Sequence, residues 1–307
     1  MNAFLLSIPI KIVALVFFII SSQIQAQPIP KGQYLPIGTR LAMGYYYPSL
    51  SIVSNPTDIE ISLNYWIQEL TSSVGMNNAY SILYHNIVEM NRDFEAGKLD
   101  MIIAPPLLIA TVFNKDLLAD GFVGVDSSDQ INYLTIIARK EIGKEFNGYR
   151  RKRLLLPKND LLAKIFLEKE VLKQYQQSLT QVFSDIKTSN KNQRMVLDLF
   201  FNKADIAIVY ENSLKVIFEL NPQLEQKIQR LDKLPLLSRN FGYFHTSFPF
   251  QQKLRNGMQK FNQKARGRQI LQVFHTTDIK TCKVSYLDEF NTLYDEYLGL
   301  KKKHTHK

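Results

Sequence analysis

The chain has 307 residues, with 38 Lys and Arg against 28 Asp and Glu, a net charge of +10. Hydrophobic residues at 45% and aromatics at 11% exclude a disordered chain, 13 Gly and 12 Pro exclude a collagen-like or linker-like one, and the single Cys excludes an intrachain disulfide framework or a Cys-rich zinc site. The length points to about two domains, and the basic excess to anionic partners of unspecified kind.

Lys11 and the amino terminus precede an uninterrupted apolar run at 12–20. That run is shorter than the roughly 20 residues a bilayer span needs. Ile24-Gln25-Ala26 follows, with small Ala last and an aliphatic residue two before it, which suits signal peptidase. Residues 1–26 are read as a signal peptide cleaved after Ala26. The remainder is expected to be an exported, soluble protein of the periplasm.

A short strand is predicted at 39–43, ending in Gly44. Thr57 and Glu60 have capping-box spacing ahead of a helix carrying Leu63, Trp66, Ile67, Leu70 and Val74 on one face. A strand follows at 80–84, then a helical face of Ile87, Met90 and Phe94 stopped by Gly97. An apolar strand at 99–104 is closed by Pro105-Pro106. This alternation predicts an α/β sheet with parallel strands. A strand at 134–138 is expected to cross from one lobe to the other. Strand 153–156, helix 161–175, strand 181–187 and helix 193–201 follow. The return crossing is expected at 238–244. One helix is then read through Phe250, Leu254, Met258, Phe261 and Ala265, another turn or two at Ile270, Leu271 and Phe274, and a last helix at 287–300. The basic tail 301–307 is expected to be disordered.

The sequence echoes itself. Lys98-Leu99-Asp100-Met101-Ile102-Ile103-Ala104 is matched 105 positions later by Lys203-Ala204-Asp205-Ile206-Ala207-Ile208-Val209. Each stretch follows a helix-like segment and a residue that tolerates a left-handed helix end, Gly97 or Asn202. The echo predicts two lobes of similar design, with Asp100 and Asp205 in equivalent structural positions. No GxSxG, HExxH, Walker loop or Cys-x-x-Cys is present, and the five His are dispersed. No catalytic residue, metal or cofactor is expected, and the protein is not read as an enzyme.

Phe94-Glu95-Ala96-Gly97-Lys98-Leu99-Asp100 with the strand behind it resembles the F-x-x-G-x-x-D segment of periplasmic solute receptors. With residues 203–210, Asn221-Pro222-Gln223-Leu224 and Gly267-Arg268-Gln269-Ile270-Leu271-Gln272-Val273-Phe274, it resembles the phosphate/phosphite/phosphonate-binding group of ABC-transporter receptors. The resemblance spans residues 37–285. It implies a type II periplasmic-binding-protein fold: two α/β lobes, two hinge crossings and ligand in the cleft between them. Lobe 1 is expected to comprise 37–136 and 239–300, and lobe 2 to comprise 137–238.

Ligands of open α/β sheets bind outside the carboxyl ends of the strands. Five such edges are expected to form the site. They are Tyr45, Tyr46, Tyr47 and Ser49 after the first strand; Pro106 after the third; Lys158 and Asn159 at a helix start, where free N–H groups attract anions; Ser189 and Asn190; and Tyr210 with Glu211. The resembling receptors carry Ser and Thr hydroxyls at the third edge and a His at the fourth, where this chain has Lys158-Asn159-Asp160 and Asn190. An acidic Asp160 opposes an oxyanion there unless it points away or caps the helix.

The expected function is a solute-binding protein that closes by hinge motion on a small ligand, an oxyanion such as phosphate or phosphonate, for an ABC transporter. The alternatives are a periplasmic sensor module that presents its ligand-bound state to a membrane signalling protein, or an enzyme on the same fold. A monomer is expected, with an ABC permease or a membrane-bound sensor as partner and no nucleic acid.

Overall fold

The computed structural model describes residues 40–46, 56–72, 74–76, 78–125, 132–143, 146–273 and 276–305. The expected signal peptide, Tyr47, Ser49 and His275 lie outside them. In chain order the first half builds β1 (Arg40–Tyr45), α1 (Pro56–Ser72), β2 (Asn78–Leu83), α2 (Ile87–Glu95), β3 (Met101–Ala104), α3 (Pro106–Val112), β4 (Leu118–Val125), β5 (Asn132–Arg139) and β6 (Arg153–Pro157). It continues with α4 (Leu161–Tyr175), α5 (Leu179–Val182), β7 (Asp185–Ser189), α6 (Asn192–Phe200), β8 (Ile206–Tyr210), α7 (Glu211–Leu220) and α8 (Pro222–Lys227). The last part comprises β9 (Ile228–Leu236), β10 (Phe241–His245), α9 (Gln251–Met258), α10 (Ala265–Val273), β11 (Asp278–Cys282) and α11 (Asp288–Thr305).

The strands form two mixed sheets. One has six strands in the order β11-β4-β10-β3-β1-β2, the other five in the order β7-β6-β8-β5-β9. In each sheet the opening strand lies between two parallel neighbours, β2 and β3 for β1, β7 and β8 for β6. In each, the strand that arrives from the other lobe adds antiparallel, β10 on β3 and β5 on β8. The two lobes are thus built to one plan.

The repeated sequence unit explains why. Gly97 and Asn202 both take left-handed backbone, at φ +67° and +60°, and end their helices. Behind them the N–H of Lys98 donates to the Asp93 carbonyl (2.9 Å), and that of Lys203 to the Asp198 carbonyl (2.7 Å). Asp100 Oδ2 then accepts the Ala42 N–H at 2.8 Å, and Asp205 Oδ2 the Arg153 N–H at 2.8 Å. Each Asp also exchanges backbone bonds with its neighbour strands: its N–H donates to Ala42 or Arg153, and its carbonyl accepts from His245 or Arg139. Each carboxylate therefore locks the third strand of its lobe to the first. They differ in charge balance. Asp205 is additionally held by the guanidiniums of Arg153 and Arg139, whereas Asp100 has the single N–H.

Several elements depart from the sequence expectation. α1 begins at Pro56, so Thr57 lies inside the helix and is not its cap. Pro at a helix start loses no hydrogen bond, since its N–H would have no intrahelical partner. The segment read as strand 181–187 is α5 followed by β7. Ser178 and Gln181 form a capping box that starts a helical turn there. The helix read through 250–265 is α9 and α10, separated by a 3-10 turn at Phe261–Gln263. β5 pairs with β9 along all eight of its residues, from Asn132 to Arg139. The return lies between Leu236 and Phe241. The tail read as disordered from residue 301 continues α11 to Thr305.

Three apolar clusters hold the molecule. One lies on a single face of the first sheet beneath α1, α9 and α10; another lies on a single face of the second beneath α6 and α7. The remaining cluster is common to both sheets. It runs from Phe94, Phe113 and Phe241 to Leu154, Phe166 and Leu172, with Phe290, Leu293 and Tyr297 of α11 among its members. α11 packs on both α3 and α4. Its first turn reaches lobe 1, where Asp288 pairs with Lys115 and Phe290 meets Phe241 edge-on. Its middle reaches lobe 2, where Glu296 pairs with Lys169 and the Tyr297 hydroxyl donates to buried Glu168 at 3.2 Å. Among the described residues no helix is long and apolar enough to cross a membrane.

Candidate functional site

A cavity opens between the lobes where the carboxyl ends of β3, β6 and β8 face one another. Pro105, Pro106, Leu107 and Leu108 line it from lobe 1. Asn159, Asp160, Leu161, Leu162 and Tyr210 line it from lobe 2, and Leu236 and Arg239 from the return crossing. Its walls are mainly apolar, with polar atoms concentrated on the lobe 2 side. The free volume is about 30 Å³, room for one or two waters. A ligand of ordinary metabolite size requires the walls to part.

The polar side is ordered by local chemistry. After β6, Asn159 takes left-handed backbone at φ +57°, which turns the chain into α4. Asp160 is the N-cap: Oδ1 accepts the Ala163 N–H at 3.0 Å, satisfying one of the helix's free donors. Its other oxygen, Oδ2, accepts the Tyr210 hydroxyl across from β8. Arg239 from the return crossing lays its guanidinium over the Tyr210 ring, 3.5 Å from the centroid, a cation–π contact. One carboxylate, one phenol and one guanidinium from three chain segments thus meet at the cavity.

Of the sequence-predicted residues, Pro106, Asn159 and Tyr210 line this cavity, together with Pro105, Leu107 and Asp160 of the same strand-end edges. Lys158 is exposed beside it, with its N–H donating to the Ser189 carbonyl at 2.8 Å. Ser189 Oγ accepts the Lys191 N–H and turns the chain after β7, and Asn190 is exposed there; neither lines the cavity. Tyr45 ends a central strand and is buried in the lobe 1 core. Tyr46 faces the opposite way, as successive strand residues do, and is half-buried against the shared cluster. Burial raises its hydroxyl above the ordinary tyrosine range. Neither ring lines the cavity.

Glu211 turns away from the cavity. Its buried carboxylate accepts Thr135 Oγ1–H and Arg230 Nε–H, both at 2.9 Å, and ties α7 to β5 and β9. A Glu211→Ala change is therefore expected to cost about 1–2 kcal/mol of stability by leaving the Thr135 hydroxyl unsatisfied. Ligand-dependent stabilisation should be unaltered. Denaturant midpoints measured with and without ligand separate the two effects.

Residues that the sequence reading did not place in the site are Leu108, Leu161, Leu162, Leu236 and Arg239. Arg239 had a usable signal. It is a cation inside the segment expected to return between lobes, and such a segment must border the cleft. Among the described residues no cluster of His, Cys, Asp and Glu is placed to hold a metal ion.

No protein-family model and no curated protein matches the sequence. Solved structures do match the fold. XAC2383 from Xanthomonas citri, bound to chloride ion, superposes with a TM-score of 0.63 at 10% identity, over 86% of this chain and 99% of that one. A binding protein component of an ABC phosphonate transporter from Pseudomonas aeruginosa gives 0.57 at 10% identity, over 87% and 98%. PhnD1 from Prochlorococcus marinus, in complex with methylphosphonate, gives 0.58 at 12% identity, over 84% and 98%. The chain has the two-lobed type II periplasmic-binding-protein fold.

Proposed function

We propose that the protein is a periplasmic solute-binding protein that closes its lobes on a small ligand and delivers it to an ABC permease, without catalysing a reaction. The observation that carries this reading is the cavity itself. It sits at the strand ends of both sheets, takes walls from both lobes, and includes Arg239 and Leu236 of the return crossing. A ligand held there touches both lobes, which is the condition for shifting an open–closed balance, since only differential affinity moves such an equilibrium. Export after cleavage near Ala26, a monomeric state, and a division into lobes 37–136 with 239–300 and 137–238 belong to the same proposal. The ABC-transporter receptor of like fold from Pseudomonas aeruginosa supports the transport output.

The test is a thermal-shift screen of the chain lacking residues 1–26, followed by small-angle scattering with each hit. A ligand at about 100 times its dissociation constant should stabilise by about 2.7 kcal/mol and reduce the radius of gyration. A stabilising ligand that leaves the scattering unchanged contradicts hinge closure. Turnover of that ligand contradicts the binding role.

A further inference from the structure

The cavity's polar side already contains an anion, the Asp160 carboxylate. The sites on this carboxylate are only partly used. A carboxylate offers about four lone-pair positions. One on Oδ1 is taken by the Ala163 N–H and one on Oδ2 by the Tyr210 hydroxyl. The residue lines the cavity, so its remaining acceptor capacity is at the wall a ligand meets. The positive end of α4, which would otherwise favour an incoming anion, already carries the carboxylate of its own cap. Arg239 is engaged over the face of the Tyr210 ring, whose hydroxyl binds that same carboxylate. The opposite wall, Pro105 to Leu108, offers apolar surface and no cation.

We infer that Asp160 is the residue that sets ligand charge in this cleft: it excludes phosphate-, phosphonate- and sulfate-like oxyanions and selects small molecules that present an ammonium donor to it on an apolar body. This rests on the solute-binding reading above and deepens it. An oxyanion entering the cavity meets a like charge at contact range, and the guanidinium that lines the cavity is already engaged over the Tyr210 ring. An ammonium group instead gains a charge-assisted hydrogen bond, while its hydrocarbon part covers the proline and leucine walls.

Asp160→Asn isolates the charge from the cap, because Asn caps helices as well as Asp does. Asp160→Ser, also a good cap, is the second variant should the first fold poorly. Titration calorimetry and small-angle scattering are run on wild type and variant with inorganic phosphate, methylphosphonate, sulfate and n-butylammonium. Wild type should not bind the oxyanions at about 10 mM but should bind n-butylammonium. The variant should gain affinity for at least one oxyanion, by about 10- to 100-fold, and lose about as much for the amine. An oxyanion that binds wild type as tightly as the variant overturns the inference. So does an amine that compacts wild type with an affinity indifferent to the substitution, an outcome that leaves the solute-binding reading standing. Absence of binding and compaction with every probe in both proteins overturns the inference and counts against the solute-binding reading as well.

Discussion

Replacing Asp205 with Ala is expected to destabilise the protein by about 3–5 kcal/mol, and Asp100 with Ala by about 1–2 kcal/mol. The two residues hold the same place in their lobes, so the difference isolates what the arginines add. Removing Asp205 leaves the Arg153 N–H without its partner and the guanidiniums of Arg153 and Arg139 without their anion. Removing Asp100 frees one backbone N–H. The pH responses have opposite signs. Burial works against the charged form of Asp205, yet the bonds from Arg153 and Arg139 outweigh it and hold the carboxyl well below the usual carboxylate range. Its contribution is present above the unfolded value of about 3.9 and is lost as pH falls below that towards the folded value. At Asp100 burial dominates and raises the carboxyl, with the Ala42 N–H pulling the other way. Its contribution is present below about 3.9 and is lost as pH rises through the folded value. Urea midpoints between about pH 3 and 7 should show wild type losing stability in acid more steeply than Asp205→Asn. Equal slopes would contradict the assignment.

Gly121→Ala should be as damaging, at about 3 kcal/mol or more. β4 crosses β10 where both carry glycine. A Cβ on Gly121 would lie 2.1 Å from the Gly242 carbonyl oxygen and 2.8 Å from Tyr243 Cα. These are backbone atoms of a strand paired on both sides, so no rotamer change relieves the overlap. The pairing is already irregular between Gly242 and Phe244. Gly97→Ala is the control. It has open space around the position but a left-handed backbone, and should cost only about 1 kcal/mol. Equilibrium unfolding of the three proteins decides the order; equal costs would refute the close-approach argument.

The two-lobed fold was legible because its key instruction is local. A left-handed residue closing a helix, two residues of turn and an Asp at the strand entrance are contiguous in sequence, and they occur twice. α4 was legible for the same reason, with a polar turn before it and an unbroken helical run to Tyr175. What failed was whatever depends on a partner. Gln181 looks strand-like until its side chain is seen bonded back to the Ser178 N–H. Phe250 to Ala265 keeps helical spacing, yet a 3-10 turn at Phe261–Gln263 separates α9 from α10, where Gly267 comes too near the Phe261 carbonyl to carry a Cβ. The site divides in the same way. Strand ends placed Pro106, Asn159 and Tyr210 at the cavity. Alternation along β1 alone does not say that Tyr45 faces the core, because that depends on which face α1 covers. Glu211 follows a strand end as Tyr210 ends one, but Arg230 and Thr135, distant in sequence, draw it into a structural ion pair.

The C-terminal helix changes the mechanics of any closure. Two chain crossings by themselves make a loose pivot, but α11 is pinned near Asp288 to lobe 1 and near Tyr297 to lobe 2, about 12–14 Å apart along a rigid rod. The helices it packs on are α3 and α4, whose first turns form facing walls of the cavity. Widening the cleft therefore requires α11 to slide on one of them, and packed helices slide only a little. On the solute-binding reading proposed above, the fraction of molecules open enough to admit a ligand would be set partly by packing remote from the ligand. Since apparent affinity scales with that fraction, side chains such as Glu168 and Tyr297 would then tune binding strength without touching what is bound.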